Sequence, residues 1–220
     1  MNRSGMKFLE SSGLLIIISS PSGAGKSSLA SELVKSDENL KFSISFTTRD
    51  KRPGEVNGKD YFFVSESNFE DLVKSGEMLE YAKVFGNYYG TPEEPIDVAL
   101  KNGQDIVFDV DWQGGDQIRE SKFSRNVVSI FILPPSIYEL ENRLLSRRQD
   151  SAEVVSNRMS EAKSEIEHWK KHDYVLVNRE LESTLSDIRS IVKSKRLEVS
   201  RNPSLKDFVQ GLNIEFEKRK

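Results

Sequence analysis

Residues 14–29 read LLIIISSPSGAGKSSL, and the way this stretch folds decides the architecture of the chain. Leu14 to Ile18 form an unbroken aliphatic run, the pattern of a strand buried on both faces. The run breaks into Ser20, Pro21, Ser22, Gly23, Ala24 and Gly25, and then Lys26, Ser27 and Ser28 open a helical pattern. Strand, glycine loop and helix in that order predict a cradle for phosphate. Gly23 and Gly25 allow torsions and close approach that a Cβ would obstruct, so consecutive amides can point inward at an anion. The helix adds its positive N-terminal end. Lys26 can then reach the β- and γ-phosphates, and the Ser27 hydroxyl stands where a phosphate-bound Mg²⁺ takes an oxygen ligand. The pattern is that of a P-loop, G-x-x-x-x-G-K-[ST], with Ser20 at the first glycine position. A glycine-rich turn with an exposed lysine is the plainer alternative, and the flanking strand and helix argue against it. The third glycine of a dinucleotide fingerprint is missing.

Working outward, 220 residues with 36% hydrophobic content suit one compact α/β domain with insertions. A net charge of -3 gives no global basic field, so nucleic acid is not an expected partner. The chain has no cysteine, which excludes disulfides and thiolate metal sites and fits a reducing compartment. The opening MNRSGMKFLESSG reads as neither signal peptide nor membrane span, so the cytoplasm is the expected location, without a membrane partner.

After the P-loop helix, which is expected to run to Lys35, KFSISFTT alternates as one strand with Ser43, Ser45 and Thr47 on one face. A basic turn-rich segment, Arg49 to Gly58, leads into the strand KDYFFV. Ser65 is a candidate cap for a helix over 66–74. MLEYAKVF and the aromatic return YYGT complete a small, mostly antiparallel insertion. Helix 92–101, strand DIVFDVD, a helix near 114–120 and strand VVSIFIL restore the alternation expected of a parallel sheet flanked by helices. Helices are expected over 137–148 and 152–170, the second with Val155, Met159, Ala162, Ile166 and Trp169 as its apolar stripe. DYVLVN is a last strand and 181–197 a last helix. These elements predict a core over 13–43, 95–135 and 168–200, an insertion over 44–94, a lid over 136–167 and a charged tail over 201–220.

In such a sheet the ligand lies beyond the carboxyl ends of the strands. Asp109 and Asp111, two apart on an extended segment, are expected to point to one side there, with an ion pair as the structural alternative. Arg49, Arg52 and Tyr61 can build a directional cradle for a phosphate monoester. Arg143 and Arg147 share a helical face, with Glu139 as an ordinary i, i+4 partner for Arg143.

Taken in order, SSPSGAGKSS, TTRDKRPGEVNGKDYFFV, EYAKVFGNYYGT, DVDWQG and the later arginines resemble the guanylate kinase family over nearly all of the chain to Arg201. The resemblance implies a P-loop core, a GMP-binding insertion and a mobile lid over ATP. It places Arg49, Arg52, Tyr61 and Tyr89 around the GMP phosphate and Ser45, Glu80 and Thr91 at the guanine. It puts Asp109 near Mg²⁺ and in contact with it through water, with Asp111 as a second acid on the GMP side. Arg143, Arg147 and Arg158 fall against the ATP phosphates, and Asn178 beside the adenine. Arg148 stands where many members have glycine. The implied activity is transfer of a phosphoryl group from MgATP to GMP, with dGMP as a further acceptor. A non-catalytic binding module of the same fold and a related P-loop kinase with another phosphorylated substrate are the rival readings.

Overall fold

The computed structural model describes residues 12–84, 86–146 and 152–219. Strand β1 (Leu15–Ser19) is wholly buried and sits at the centre of a five-stranded parallel sheet. The elements that follow are α1 (Lys26–Lys35), β2 (Leu40–Phe42), β3 (Phe46–Thr47), β4 (Phe62–Phe63), α2 (Glu66–Lys74), β5 (Met78–Val84) and β6 (Asn87–Pro92). Next come α3 (Glu93–Lys101), β7 (Asp105–Asp109), α4 (Trp112–Glu120) and β8 (Val127–Leu133). The chain continues with α5 (Ile137–Ser146), α6 (Ala152–Ile166), β9 (Tyr174–Val177), α7 (Leu181–Arg196) and α8 (Leu205–Lys218). The main sheet has the order β2-β7-β1-β8-β9, and a second sheet has the order β4-β3-β6-β5.

Period-two alternation along β1 divides the core between two layers. Leu14, Ile16 and Ile18 pack with Leu29 and Leu33 of α1 and Leu185 and Ile188 of α7. Leu15 and Ile17 pack with Ile96 and Leu100 of α3 and Ile118 of α4. Helices on both faces are what a parallel sheet requires, since each crossover must cover one side.

The helix caps follow local chemistry. The Ser65 hydroxyl accepts from the Asn68 amide at 3.2 Å, as the sequence predicts. Two expectations fail for identifiable reasons. The single strand over KFSISFTT divides: Leu40–Phe42 joins β7 in the main sheet, while Phe46–Thr47 joins β4 and β6, so residues between them carry the chain from one sheet to the other. Helix α6 ends at Ile166 and passes into a 3₁₀ turn, Glu167–Lys171, which rotates Trp169 out of the apolar stripe and leaves it 41% exposed. The tail forms α8, none of whose residues is buried. The second sheet also carries one parallel pair, β3 with β4. No described helix is long and apolar enough to cross a membrane.

One buried ion pair ties the far end of the sheet together. The Asp105 carboxylate, 2% exposed, accepts from the Leu14 amide at 2.7 Å and from Arg196 Nε at 2.6 Å. Arg196 Nη1 also donates to Asp37 at 2.6 Å. Burial pushes the Asp105 carboxyl up, and the Leu14 amide and the guanidinium draw it back. Removing the cation strands a buried carboxylate, so Arg196→Ala is expected to lower the unfolding free energy by about 3 kcal/mol. Asp37→Ala, which removes a carboxylate that is 30% exposed against 2% for Asp105 and leaves the buried pair intact, should cost well under half of that; urea unfolding of both variants is the check.

Candidate active site

The P-loop follows β1 as the sequence predicts, and Gly25 caps α1 in the left-handed region at φ 99°. A Cβ there would also lie 2.6 Å from Asn178 Nδ2, so glycine is required twice over. Asn178 is buried at the end of β9, and its amide donates to the Ala24 carbonyl at 2.8 Å while Thr184 donates to its Oδ1. It braces the loop from beneath. The Arg143 guanidinium adds a second brace, with contacts to the carbonyls of Ala24 (3.4 Å) and Asn178 (3.2 Å), and its Nε pairs with Glu139 at 3.0 Å. Ser20, at the first glycine position, turns its hydroxyl to the Pro21 carbonyl.

Lys26 lies at the opening of the loop, where its ammonium contacts Asp109 Oδ1 at 2.9 Å and donates to the Val110 carbonyl at 2.9 Å. Parallel pairing sets Ile18 opposite Asp109, which brings the carboxyl end of β7 beside the loop. Burial alone would raise the Asp109 carboxyl; the Lys26 charge and hydrogen bonds from Lys26 and Ser27 hold it below the ordinary carboxylate range. An ionised carboxylate hydrogen-bonded to a hydroxyl beside a phosphate loop is a hard oxygen donor pair, which fits a Mg²⁺ carried chiefly by phosphates. Among the described residues no cluster of three or more His, Cys, Asp or Glu could hold a metal unaided.

A cavity of about 270 Å³ runs from Lys26, Ser27 and Asp109 to Ser45, Glu80, Tyr61 and Tyr89. At its far end Ser45 Oγ lies 3.0 Å from Thr91 Oγ1, and Thr91 donates to Glu80 Oε1 at 2.6 Å. Burial lifts Glu80 to about 7; the Thr91 hydrogen bond opposes this and the Asp111 charge adds to it. Along the side of the cleft Tyr61 and Tyr89 meet edge to face at 6.0 Å, and behind them the Arg49 guanidinium lies 5.4 Å from the Tyr61 ring centroid.

The structure corrects the geometry expected of Asp111. Strand β7 ends at Asp109, and Asp111 is the N-cap of α4, its Oδ1 accepting from the Gly114 amide at 2.9 Å. It still lines the cavity, but as a cap and not as the second acid of one strand face. Arg52 is exposed and lines neither this cavity nor its neighbour. Arg158 lies on α6 in a separate surface hollow with Val154 and Asn157. Arg147 and Arg148 lie outside the described residues.

Several contributors escaped the sequence reading. Glu55 holds Arg49 through two hydrogen bonds at 3.0 and 2.7 Å and accepts from the Arg52 amide; the arginine in turn keeps its carboxyl below the usual range. An acid within a basic turn, one of two with Asp50, was its only signal. Gly114 is the floor beneath Glu80, since a Cβ there would meet Glu80 Oε2 at 2.6 Å. The glycine pair 114–115 inside a helical pattern pointed to such an approach. Gln117 accepts from the Tyr81 amide at 3.0 Å and donates to its carbonyl at 2.8 Å, fixing β5 next to α4.

A phosphate loop facing a second anion cradle and a carboxylate–hydroxyl relay across one cleft defines the site of a nucleotide-dependent phosphotransferase. The chain belongs to the guanylate kinase family, whose model matches residues 12–195. It is 56% identical to the guanylate kinase of Cereibacter sphaeroides over 207 residues, covering 94% of this chain and 98% of that protein. Against the guanylate kinase of Ruegeria pomeroyi it is 54% identical, covering 93% and 96%. The crystal structure of guanylate kinase from Anaplasma phagocytophilum superposes with a TM-score of 0.76 at 36% identity, covering 92% of this chain and 96% of that one.

The charges around Glu80 make its titration a test of the geometry. In a carbon-detected carboxyl titration its midpoint is expected near 7. Asp111→Asn, which keeps a capping oxygen but removes a neighbouring charge, should lower the midpoint. Thr91→Val, which removes the hydrogen bond that favours the ionised form, should raise it.

Proposed function

We propose that the protein transfers the γ-phosphoryl group of MgATP to GMP, and to dGMP, giving ADP and the nucleoside diphosphate. The observation that carries this reading is the continuity of one cavity between Lys26 with Asp109 and the relay Ser45–Thr91–Glu80. Guanine presents an amino donor and an O6 acceptor, which suit a carboxylate and a hydroxyl; adenine lacks that pairing. Tyr61 and Tyr89 line the same cleft, and with Arg49, which packs on Tyr61, they would receive the GMP phosphate, with phosphate oxygens replacing Glu55 on the Arg49 fork. Arg52 adds positive charge at the rim.

A phosphate monoester is largely dianionic at neutral pH, since its second pKa is about 6, so the acceptor needs no general base. The work of the site is to hold two nucleotides in line and to neutralise charge on the moving group. Residues Ser20 to Ser28 would hold the ATP phosphates, with Asn178 at the adenine end. Mg²⁺ bound to those phosphates would supply charge neutralisation, with Ser27 and Asp109 as its protein-side oxygens. Lys26 would leave its contacts with Asp109 and Val110 in part to meet the β- and γ-oxygens. Arg143, Arg147 and Arg158 would complete the positive lining. The expected setting is purine nucleotide metabolism in the cytoplasm.

An assay of ADP release with GMP, dGMP, AMP, CMP and UMP tests the assignment directly. Lys26→Ala is expected to fold normally and to lose kcat by about a thousandfold; near-normal turnover in the folded variant would sink the mechanism. Base reading carries its own signature. Only ionised Glu80 accepts from two guanine N–H groups, so kcat/KM for GMP should fall as pH drops below about 7. Glu80→Gln should lose that inflection, keep the one near pH 6 from the GMP phosphate, and narrow the preference for GMP over AMP with ATP binding little changed.

A further inference from the structure

One amide of the phosphate loop is already in use. Ser22 N–H donates to Glu165 Oε2 at 2.9 Å, across 143 residues of sequence. Glu165 stands in the last turn of α6 and is half-buried; burial pushes its carboxyl up while the Ser22 amide and the Lys26 charge pull it down. Just beyond it, His168 stacks on Trp112 of α4 with ring centroids 3.8 Å apart and planes 11° apart, and Lys171 pairs with Asp116 at 2.7 Å. The C-terminal end of α6 is therefore fastened at two neighbouring places, to α4 and to the phosphate loop.

Spacing supplies the rest. Arg158, Ala162 and Glu165 fall at i, i+4 and i+7, one face of the helix, and Ala162 at its centre is 1% exposed against the core. Arg158 thus lies roughly 10 Å along the axis from the point where Glu165 grips the loop. A carboxylate that only filled space would have no need of a loop amide, and an arginine seven residues back depends on the register fixed at that contact.

We propose that Glu165 is a positioning residue for phosphoryl transfer: by accepting from the Ser22 amide it fixes the placement of α6 on the phosphate loop, and so the presentation of Arg158 to the transferring group. The inference rests on the proposed role of Arg158 toward ATP. Its agent is the hydrogen bond to the loop, so the charge of Glu165 is dispensable while its reach is not.

The test is steady-state kinetics on the full chain for Glu165→Ala, Glu165→Gln, Glu165→Asp, Arg158→Ala and the Glu165→Ala/Arg158→Ala pair. Glu165→Ala is expected to lower kcat by at least about tenfold, since misplacement by about 1 Å can cost a hundredfold, with KM for ATP moving by less than about threefold. Glu165→Gln keeps a carbonyl acceptor and should recover most of kcat. Glu165→Asp keeps the charge but withdraws the acceptor, and should lose kcat as Glu165→Ala does, which preserves the test if the alanine variant does not fold. The pair should be little worse than Arg158→Ala alone, because both act through one group. A normal kcat in Glu165→Asp, additive losses in the pair, or tighter ATP binding in Glu165→Ala would overturn the inference, the last by making Glu165 a competitor for the phosphates. If Arg158→Ala itself turned over normally, the arginine reading would fall and this inference with it; impairment of Arg158→Ala beside normal Glu165 variants would remove this inference alone.

Discussion

The ion pair between Lys26 and Asp109 is the contact on which the rest of the site depends. It joins the carboxyl ends of two adjacent parallel strands, one through the phosphate loop and one directly. A lysine in the mouth of a loop of inward-facing amides would otherwise be free to leave for solvent, and a carboxylate at the end of a buried strand would bear its desolvation alone. Their mutual attraction holds the Asp109 carboxyl below the ordinary carboxylate range and keeps both groups within reach of the cavity. Because β1 and β7 are held by sheet hydrogen bonds, the loop that carries Lys26 and the strand end that carries Asp109 stay side by side, and the lysine stem spans the short distance left.

Both anion-binding ends of the cleft carry one of the protein's own carboxylates. Glu55 holds the Arg49 fork, and Glu165 holds the Ser22 amide. The two serve different physical needs. A guanidinium between aromatic rings is kept extended by its acid, ready to exchange one set of oxygens for another. A loop amide left unpaired in a half-buried site would bear a desolvation cost, which the helix carboxylate offsets. The Ser45–Thr91–Glu80 relay follows the same rule of satisfied polar groups, and there the low dielectric also holds a carboxyl close to its ionisation point.

Much of this was legible in the sequence, and the reasons are local. The run Leu14 to Ile18 is too uniformly aliphatic for anything but a central strand, and the helix cap at Ser65 and the strand VVSIFIL carry their own boundaries. The site residues Lys26, Asp109, Ser45, Glu80, Thr91, Arg49 and Tyr61 come together as their chemistry suggests. What escaped is what depends on tertiary partners. Nothing in KFSISFTT says that its two halves will pair with different sheets, and nothing in DVD says that the second acid will cap a helix. Glu165 and Gln117 read as ordinary polar positions on helices until the fold sets a loop amide and a strand backbone against them.

The contact of Gln117 with Tyr81 has a consequence beyond holding β5 in place. β5 is the outer strand of its sheet, and an outer strand exposes backbone groups that another chain can pair with. The Gln117 amide takes both the N–H and the C=O of Tyr81, as the backbone of a neighbouring strand would. Helix α4 therefore shields the middle of that edge. The same side chain that steadies the strand bearing Glu80 thus occupies backbone groups that an uncovered edge would offer to another chain, and it does so from outside the cleft.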